Sequence, residues 1–590
     1  MLHELIAYTD EHLADSEPGF KTREVRWSIE LAADGRFLGI LPLGDGKRGA
    51  DLPRCPDMRG MNAGGKSHFL VESAQTVALL FKANEEDKKM AGAQIRHRFY
   101  TQLVRDAAQS CPQLGVLIDI LDVGHRRDEI RAALATHKAK PSDWVTWRID
   151  GRDPRLETEV QAWWRNKLDV AQTKKPAATK SAKKDVPENA MTCFVTGLPV
   201  KAVPTHPKIV GLPDAKGKVN SFGDVLVGFD KAAFCSYGLD QSANAAMSAE
   251  ATQKYVDALN YLIRHHSRKL ANTLVAHWYR HSLPPEDDPL AFLVDFEADE
   301  QSEAASLAAA RRLLDAIRAG ERPDLANNHY YALTLSGAAG RVMVRDWMEG
   351  SFENLVSHIT AWFADLQIVA RDGNGNARDP KFMAVCGALV RDLKDLPAPT
   401  AATLWKAAIQ GLPIPQPFLA QALGRFRTDL VDKDQPAFNH ARMGLIKAYF
   451  IRSKPGGDTT MTVTYNPNHP APPYHCGGLL AMFANLQRAA LGDVGAGVVQ
   501  RFYAAASQTP GLVLGRLAAN ARNHLAKLEP GLAWWYEERI AEIMSGLGDA
   551  APRILDLEGQ GLFALGYYQK LAQLRAGNKS TTETTSQQEV

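Results

Sequence analysis

Arg59 to Leu70 reads RGMNAGGKSHFL. Its reading decides the fold, because Gly60-x4-Gly65-Lys66-Ser67 satisfies G-x-x-x-x-G-K-[ST], the phosphate loop of a nucleotide-binding α/β sheet. Glycines let a backbone approach a ligand closely, and Lys66 adds a positive charge beside them. The stretch suits a phosphate-bearing partner, either a nucleotide or a nucleic acid. The nucleotide reading needs a buried parallel strand before the glycines and a helix opening at the lysine. What precedes them is DLPRCPDM (51–58), whose prolines disfavour such a strand. A second acidic motif is available in Val116-Leu117-Ile118-Asp119, but LGVLIDIL (114–121) reads equally well as a helix. The loop is therefore expected to face nucleic acid. A P-loop ATPase built on Gly60 to Ser67 stands as the alternative, and a purely architectural subunit as a third reading.

Around this stretch lies a chain of 590 residues, too long for one core. It is 45% hydrophobic and 23% charged, with a net charge of +2, so the clustering of charge matters more than its sum. The six cysteines are scattered with no C-x-x-C, which argues against a zinc ribbon or a disulfide scaffold and suits a reducing cytosol. The N-terminus, MLHELIAYTDEHL, carries acids where a signal peptide needs basic residues. No apolar run reaches membrane-spanning length. A cytoplasmic protein without a membrane partner is expected.

Patterning predicts an α+β fold: mixed α/β N-terminal and central regions, then a C-terminal up-down helical bundle. Residues 1–172 form the first domain. Within it LHELIAYTDEHLA is a helix, and EVRWSIEL (24–31) pairs with Phe37 to Leu43 as a hairpin across Asp34-Gly35. Residues 72–107 are expected to be largely helical, VTWRID (145–150) a strand, and Leu156 to Ala171 a helix carrying Trp163-Trp164. Residues 173–190 are a basic linker, whose TKKPAATKSAKK holds Lys174, Lys175, Lys180, Lys183 and Lys184 and no large apolar residue. It is either a solvated spacer or a mobile arm touching phosphates. Residues 191–455 are a central α+β region turning helical. Here VNSFGDVLVGFD, TLVAHWY and YALTLSG running on into RVMVRDW read as strands, and SAEATQKYVDALNYLIRHHSRKLAN as a long helix. His265-His266 fall on different faces of that helix, and His277 with His281 lack a third ligand, so neither pair is expected to hold a metal. No nucleophile elbow or dense carboxylate pair appears, and no cofactor is called for. Residues 456–576 carry five helical patterns with short Gly/Pro breaks, and 577–590 are expected to be a disordered tail.

Several phrases together resemble one family, the large subunit of the type I-C CRISPR Cascade, an RNA-guided surveillance complex. They are Cys193 to Gly197 (CFVTG), His206-Pro207-x-Ile209-x-Gly211, Ser221-Phe222, and Phe234 to Ala245 as F-x-S-Y-G-x-x-Q-x-x-N-A. Tyr255-x-x-Ala258-Leu259-Asn260, Arg341-Val342-x-Val344-Arg345-x-Trp347 and Gly559 to Tyr568 follow in family order. Near the glycine loop the likeness is looser: Pro53-Arg54, Arg59-Gly60 and Phe69-Leu70 fit, but Glu72-Ser73 stands where the family has Asp-Asn. The resemblance implies a non-enzymatic subunit beside repeat-binding and backbone subunits and the 5′ end of the guide RNA. It implies reading of the protospacer-adjacent motif in double-stranded DNA, help in splitting the strands, support of the displaced strand and recruitment of a separate helicase–nuclease. It also implies a bundle like the family's small subunit, whose separate copies arise by internal translation; Met461 and Met482 lie near its start.

The residues fit that role. A motif reader needs backbone N–H groups, asparagine or lysine at base edges, and cations on phosphates. The first loop offers Asn62, Gly64, Gly65, Lys66 and Ser67, with Arg54 and Arg59 just before. A second loop, Ser236 to Asn244, offers Gln241 and Asn244 for base edges and Tyr237 for stacking. In the bundle Arg488, Arg501, Arg516, Arg522 and Lys527 form a candidate track for the displaced strand.

Overall fold

The computed structural model describes residues 1–13, 17–45, 48–58, 64–173, 191–294, 308, 311–319, 321–430, 439–454, 456–492, 497–548 and 550–586. The fold is α+β. The chain divides into two compact units, one of residues 1–211 with 221–264, the other of 212–220 with 265–590. This division cuts the chain at other places than the boundaries expected at 173–190 and 456. Residues 191–211 and 221–264 join the first unit, and the sheet and bundle of the second are continuous.

The first unit is built on a four-stranded sheet in the order Phe37–Pro42, Trp27–Leu31, Trp144–Ile149, Glu72–Ser73. The expected hairpin forms, and Trp27–Leu31 also runs parallel to Trp144–Ile149. The helical stretch expected over 72–107 is interrupted. A single turn, Ala74–Val77, stops before Leu79 at φ 53°, and the long helix spans Asp87–Ala108. Aromatic residues fill the core and find partners for their polar ends. Trp147 Nε1 donates to the Tyr100 hydroxyl at 2.7 Å, and Trp164 Nε1 donates to the Gly19 carbonyl at 2.7 Å. Phe69, just after the glycine loop, stacks on Trp164 with ring centroids 5.5 Å apart. The loop is thus tied into the core at its downstream end.

VNSFGDVLVGFD forms no strand. Its only ladder contacts among the described residues are the isolated bridges Ile209↔Asp224 and Pro213↔Val219. Gly223, at φ 71°, lies so near Ile209 that a Cβ would stand 2.8 Å from the Ile209 carbonyl oxygen, so the chain turns where a strand would continue. The helix Ala249–His265 ends at His265, and His266 lies outside it.

In the second unit a four-stranded antiparallel sheet has the order Arg341–Ser351, His329–Ala338, Thr273–Tyr279, Ser267–Leu270. Helix Phe352–Leu366 buries Phe352, Leu355, Val356, Ile359, Trp362 and Leu366, an i, i+3, i+4, i+7 stripe that faces the core. Five helices close the chain: Pro472–Leu491, Val498–Ala506, Pro510–Leu525, Pro530–Ser545 and Leu557–Ser586. The last continues past Ala576, where a tail was expected, and residues 587–590 lie outside the described residues. One core runs from Leu270 to Leu574 without a break near 456. The reason is local. Gln569 Nε2 donates to the carbonyls of Thr462 and Val463 at 2.7 and 3.0 Å, and the Tyr568 hydroxyl donates to the Val369 carbonyl at 3.0 Å. The proline-rich connection is held against the last helix rather than left as a linker.

Candidate nucleic-acid interface

The approach to the glycine loop is not a buried parallel strand, as expected; Ala50–Pro56 instead pairs antiparallel with Phe20–Val25 in a two-stranded ribbon. Pro53 is tolerated because the register shifts there, with Lys21 opposite Cys55 and Arg23 opposite Leu52. At this bulge Arg54 takes φ 56°, and the buried Arg155 donates to the Pro53 carbonyl. The Arg54 guanidinium is committed, to Glu17 at 3.0 Å and to Gln161 at 2.9 Å. Arg54, read from sequence as a DNA contact, is a structural tie between this strand and the helix Thr158–Thr173.

A polar knot closes the base of the loop. The Met58 N–H donates to His68 Nδ1 at 3.0 Å, bridging the two ends. Arg23 bonds Asp57 and lies 3.3 and 3.1 Å from the two ring nitrogens of His68, with its guanidinium 4.3 Å over the Trp144 ring. The His68 N–H donates to Glu72 at 2.9 Å. Burial works to raise the Asp57 carboxyl, but Arg23, His68 and Lys21 outweigh it and hold the group below its ordinary value. Burial and then Arg23 push the His68 imidazole down to about 4. At neutral pH it is therefore uncharged, and its Nδ1 accepts from the Met58 N–H. The unfolded chain takes up a proton at His68 below about pH 6.5 that the folded chain refuses, so stability is full above that pH. It is expected to fall as pH drops from about 6.5 toward about 4. Urea midpoints of the chain at pH 7.5 and pH 5 check this. In His68→Asn, which keeps an acceptor for Met58 but cannot titrate, the drop is expected to be smaller.

Arg23, Asp57 and His68 stand in three separate stretches, so no local sequence signal marks the knot. Above it, Gly64 and Gly65 are successive left-handed residues, at φ 76° and 68°. Lys66 follows and makes no hydrogen bond or ion pair among the described residues. Ser67 is fully buried, with its hydroxyl unpartnered, so it does not present itself as the DNA contact read from sequence. Arg59, Gly60 and Asn62 lie outside the described residues. The phosphate-loop ATPase reading fails on context. No helix opens at Lys66, since the next begins at Ala74; the preceding strand is antiparallel; and the residues of the second acidic motif lie in the helix Gly115–Asp122.

The second loop keeps two of its three candidates. Tyr237 and Gln241 are exposed. Asn244 is consumed by its own loop. Its Oδ1 accepts from the Ser236 N–H at 2.8 Å, and its Nδ2 donates to the carbonyls of Leu239 and Gln241, both at 2.9 Å. It clamps the turn. The linker lysines Lys174, Lys175, Lys180, Lys183 and Lys184 lie outside the described residues.

In the bundle, residues 494–528 contain no Asp or Glu. Arg501, Arg516, Arg522 and Lys527 are exposed there, and their side chains make no hydrogen bond or ion pair among the described residues. Arg516, Asn520 and Asn523 share one exposed face of Pro510–Leu525, and Lys527 lies just beyond its end. Arg488, near the end of Pro472–Leu491, stands apart from them, within electrostatic reach of Arg575.

Among the described residues no three His, Cys, Asp or Glu side chains gather as a metal site requires. His277 Nε2 lies 2.8 Å from Asp288, which also accepts from the Tyr279 hydroxyl at 2.6 Å, a tie within the sheet unit. No helix among the described residues is long and apolar enough to cross a membrane.

The first unit thus carries a lysine uncommitted among the described residues beside paired glycines, and the second a stretch, 494–528, with exposed cations and no carboxylate. Residues 5–575 match the family model described as CRISPR-associated protein (Cas_Csd1). The protein is CRISPR-associated. More particularly, the chain belongs to the Csd1 family, the large subunit of the type I-C Cascade, and so is a member of a Cascade complex. No curated protein matches the chain.

Proposed function

We propose that this chain is the non-catalytic DNA-recognition subunit of its Cascade. It reads the protospacer-adjacent motif in duplex DNA with the loop around Gly64, Gly65 and Lys66 and helps separate the strands. The C-terminal bundle supports the displaced strand, and the loaded assembly recruits a separate helicase–nuclease. It works in the cytoplasm beside guide RNA, repeat-binding and backbone subunits, and small-subunit copies made by internal translation. The observation that carries this reading is Lys66. It has no partner among the described residues, and it follows two left-handed glycines on a loop whose base is tied across by Met58 and His68. Such a lysine can reach a base edge or a phosphate while the backbone of Gly64 and Gly65 lies close to the groove.

Binding of the assembled, guide-loaded complex to duplexes with and without the motif tests the reading. Lys66→Ala is expected to weaken motif-bearing targets roughly ten-fold, in the range of one lost base or phosphate contact. Subunit composition on size exclusion is expected to stay intact. Unchanged motif preference in Lys66→Ala would leave this chain an architectural subunit and assign the motif to another.

A further inference from the structure

In the second loop the Leu239 N–H donates to the Ser236 carbonyl at 2.9 Å, closing a four-residue turn. Both central residues are left-handed, Tyr237 at φ 55° and Gly238 at φ 71°. Turns of this kind ordinarily take Asn-Gly, because both positions need positive φ. A tyrosine at the first position is under backbone strain. Burial recovers none of it, for Tyr237 is 101% exposed. Exposure is not the habit of tyrosine in this chain. Of its 15 tyrosines 13 are buried and Tyr261 is half-buried. The strained turn is fixed from one side. The Asn244 clamp grips Ser236 and Leu239, the first and last residues of the turn, and Gln241 after it. Gln241 is itself left-handed, at φ 49°, and its exposed amide has no partner among the described residues. Thus a flat ring stands out from a clamped turn, both faces open, with an amide four residues away that has no partner among the described residues.

We propose that Tyr237 is a stacking finger for an unpaired nucleobase, that Gln241 hydrogen-bonds that base's edge, and that Asn244 is the positioning residue for both. This rests on the DNA-recognition reading above and names the part of the target the second loop takes. The surroundings select a base over a protein partner. A tyrosine that anchors a protein interface sits within a rim that excludes water. Here Ser236, Gly238, Asp240 and Gln241 are exposed and polar or glycine, Leu239 is half-buried, and Phe234 is the one exposed large apolar side chain beside Tyr237 in 234–241. A base needs only a π-face and a hydrogen bond, and both are offered.

The test uses the full complex with guide RNA and a target carrying 2-aminopurine at successive positions beside the motif. In the wild type the probe is expected to be quenched at one unpaired position. Tyr237→Ala is expected to lose that quenching and weaken target binding on the order of ten-fold. Tyr237→Phe keeps both, and Asn244→Ala moves in the direction of Tyr237→Ala. Tyr237→Gly separates function from structure. It relieves the strained φ, so the melting temperature is unchanged or higher, yet binding falls as in Tyr237→Ala. Wild-type binding and quenching in Tyr237→Ala would overturn the proposal. So would loss of a subunit from the Tyr237→Ala complex on size exclusion, which would assign the ring to a protein neighbour. A wild-type complex without motif preference overturns the motif-reading function instead, while quenching that depends on Tyr237 would still stand.

Discussion

Gly566→Ala is expected to disrupt the C-terminal bundle, with a loss of about 3 kcal/mol or more, at or beyond the usual cost of overpacking. The first and last helices of the bundle, Pro472–Leu491 and Leu557–Ser586, touch through glycines. A Cβ on Gly566 would overlap the Tyr474 carbonyl oxygen, and one on Gly477 would overlap the Phe563 carbonyl oxygen and stand 2.7 Å from the Tyr567 nitrogen. The obstacles are backbone atoms, so no change of rotamer relieves them. The helices would have to separate, pulling apart a contact lined by Tyr567 and Leu480, both buried. The same protein supplies the control. Gly515 lies on an exposed face of Pro510–Leu525, where a Cβ meets nothing. Gly515→Ala is expected to stabilise by about 0.5–1 kcal/mol, since alanine is the better helix former. Thermal and urea melting of the two variants beside the wild type would give shifts of opposite sign. A Gly566→Ala protein that melts with the wild type would mean that the helices do not cross this closely.

The contrast between those glycines marks how far the sequence carries. Periodicity made the elements legible wherever one face is buried: Phe352–Leu366, the hairpin of Trp27–Leu31 with Phe37–Pro42, and all five helices of the bundle. The same periodicity is silent about which glycines face another backbone. It failed over residues 219–230, where apolar residues alternate but the chain turns at Gly223, because alternation records burial and not ladder pairing. Proline correctly argued against a buried parallel strand, but it left unseen that Ala50–Pro56 pairs in an antiparallel ribbon, where a bulge at Pro53 and Arg54 needs no ladder bond from the proline.

The candidate sites divide in the same manner. Residue type suggested Arg54, Ser67 and Asn244 as DNA contacts, and packing commits or buries all three. Among the described residues Lys66, Tyr237, Gln241 and, in the bundle, Arg501, Arg516, Arg522 and Lys527 carry no such commitment. A side chain's type gives what it can bond, but its partners come from stretches far away in sequence. Glu17 and Gln161 hold Arg54, and Arg23 reaches His68. Those pairings are not written in any local motif.

Removing charge from the carboxylate-free stretch 494–528 is expected to have the larger effect on binding. Arg516→Gln, Arg522→Gln and Lys527→Gln combined delete three exposed cations that have no ion pair among the described residues, so the melting temperature is expected to hold. If each neutralises one phosphate of a single strand, the salt dependence of target binding drops by about 0.7 per contact, close to 2 units of slope in all. Over a four-fold rise in salt that slope is worth about 16-fold in affinity, and at low salt the triple variant is expected to bind at least ten-fold more weakly than the wild type. The defect should be the same for every target sequence, because phosphate contacts carry no sequence information. It should also vanish on a target that lacks the non-target strand, where nothing is displaced. Lys66→Ala makes the converse pattern, a loss confined to motif-bearing duplex. Together the two variants separate a unit that reads from a unit that holds. A triple variant whose salt slope matches the wild type would make these cations plain solvated surface, whatever their charge.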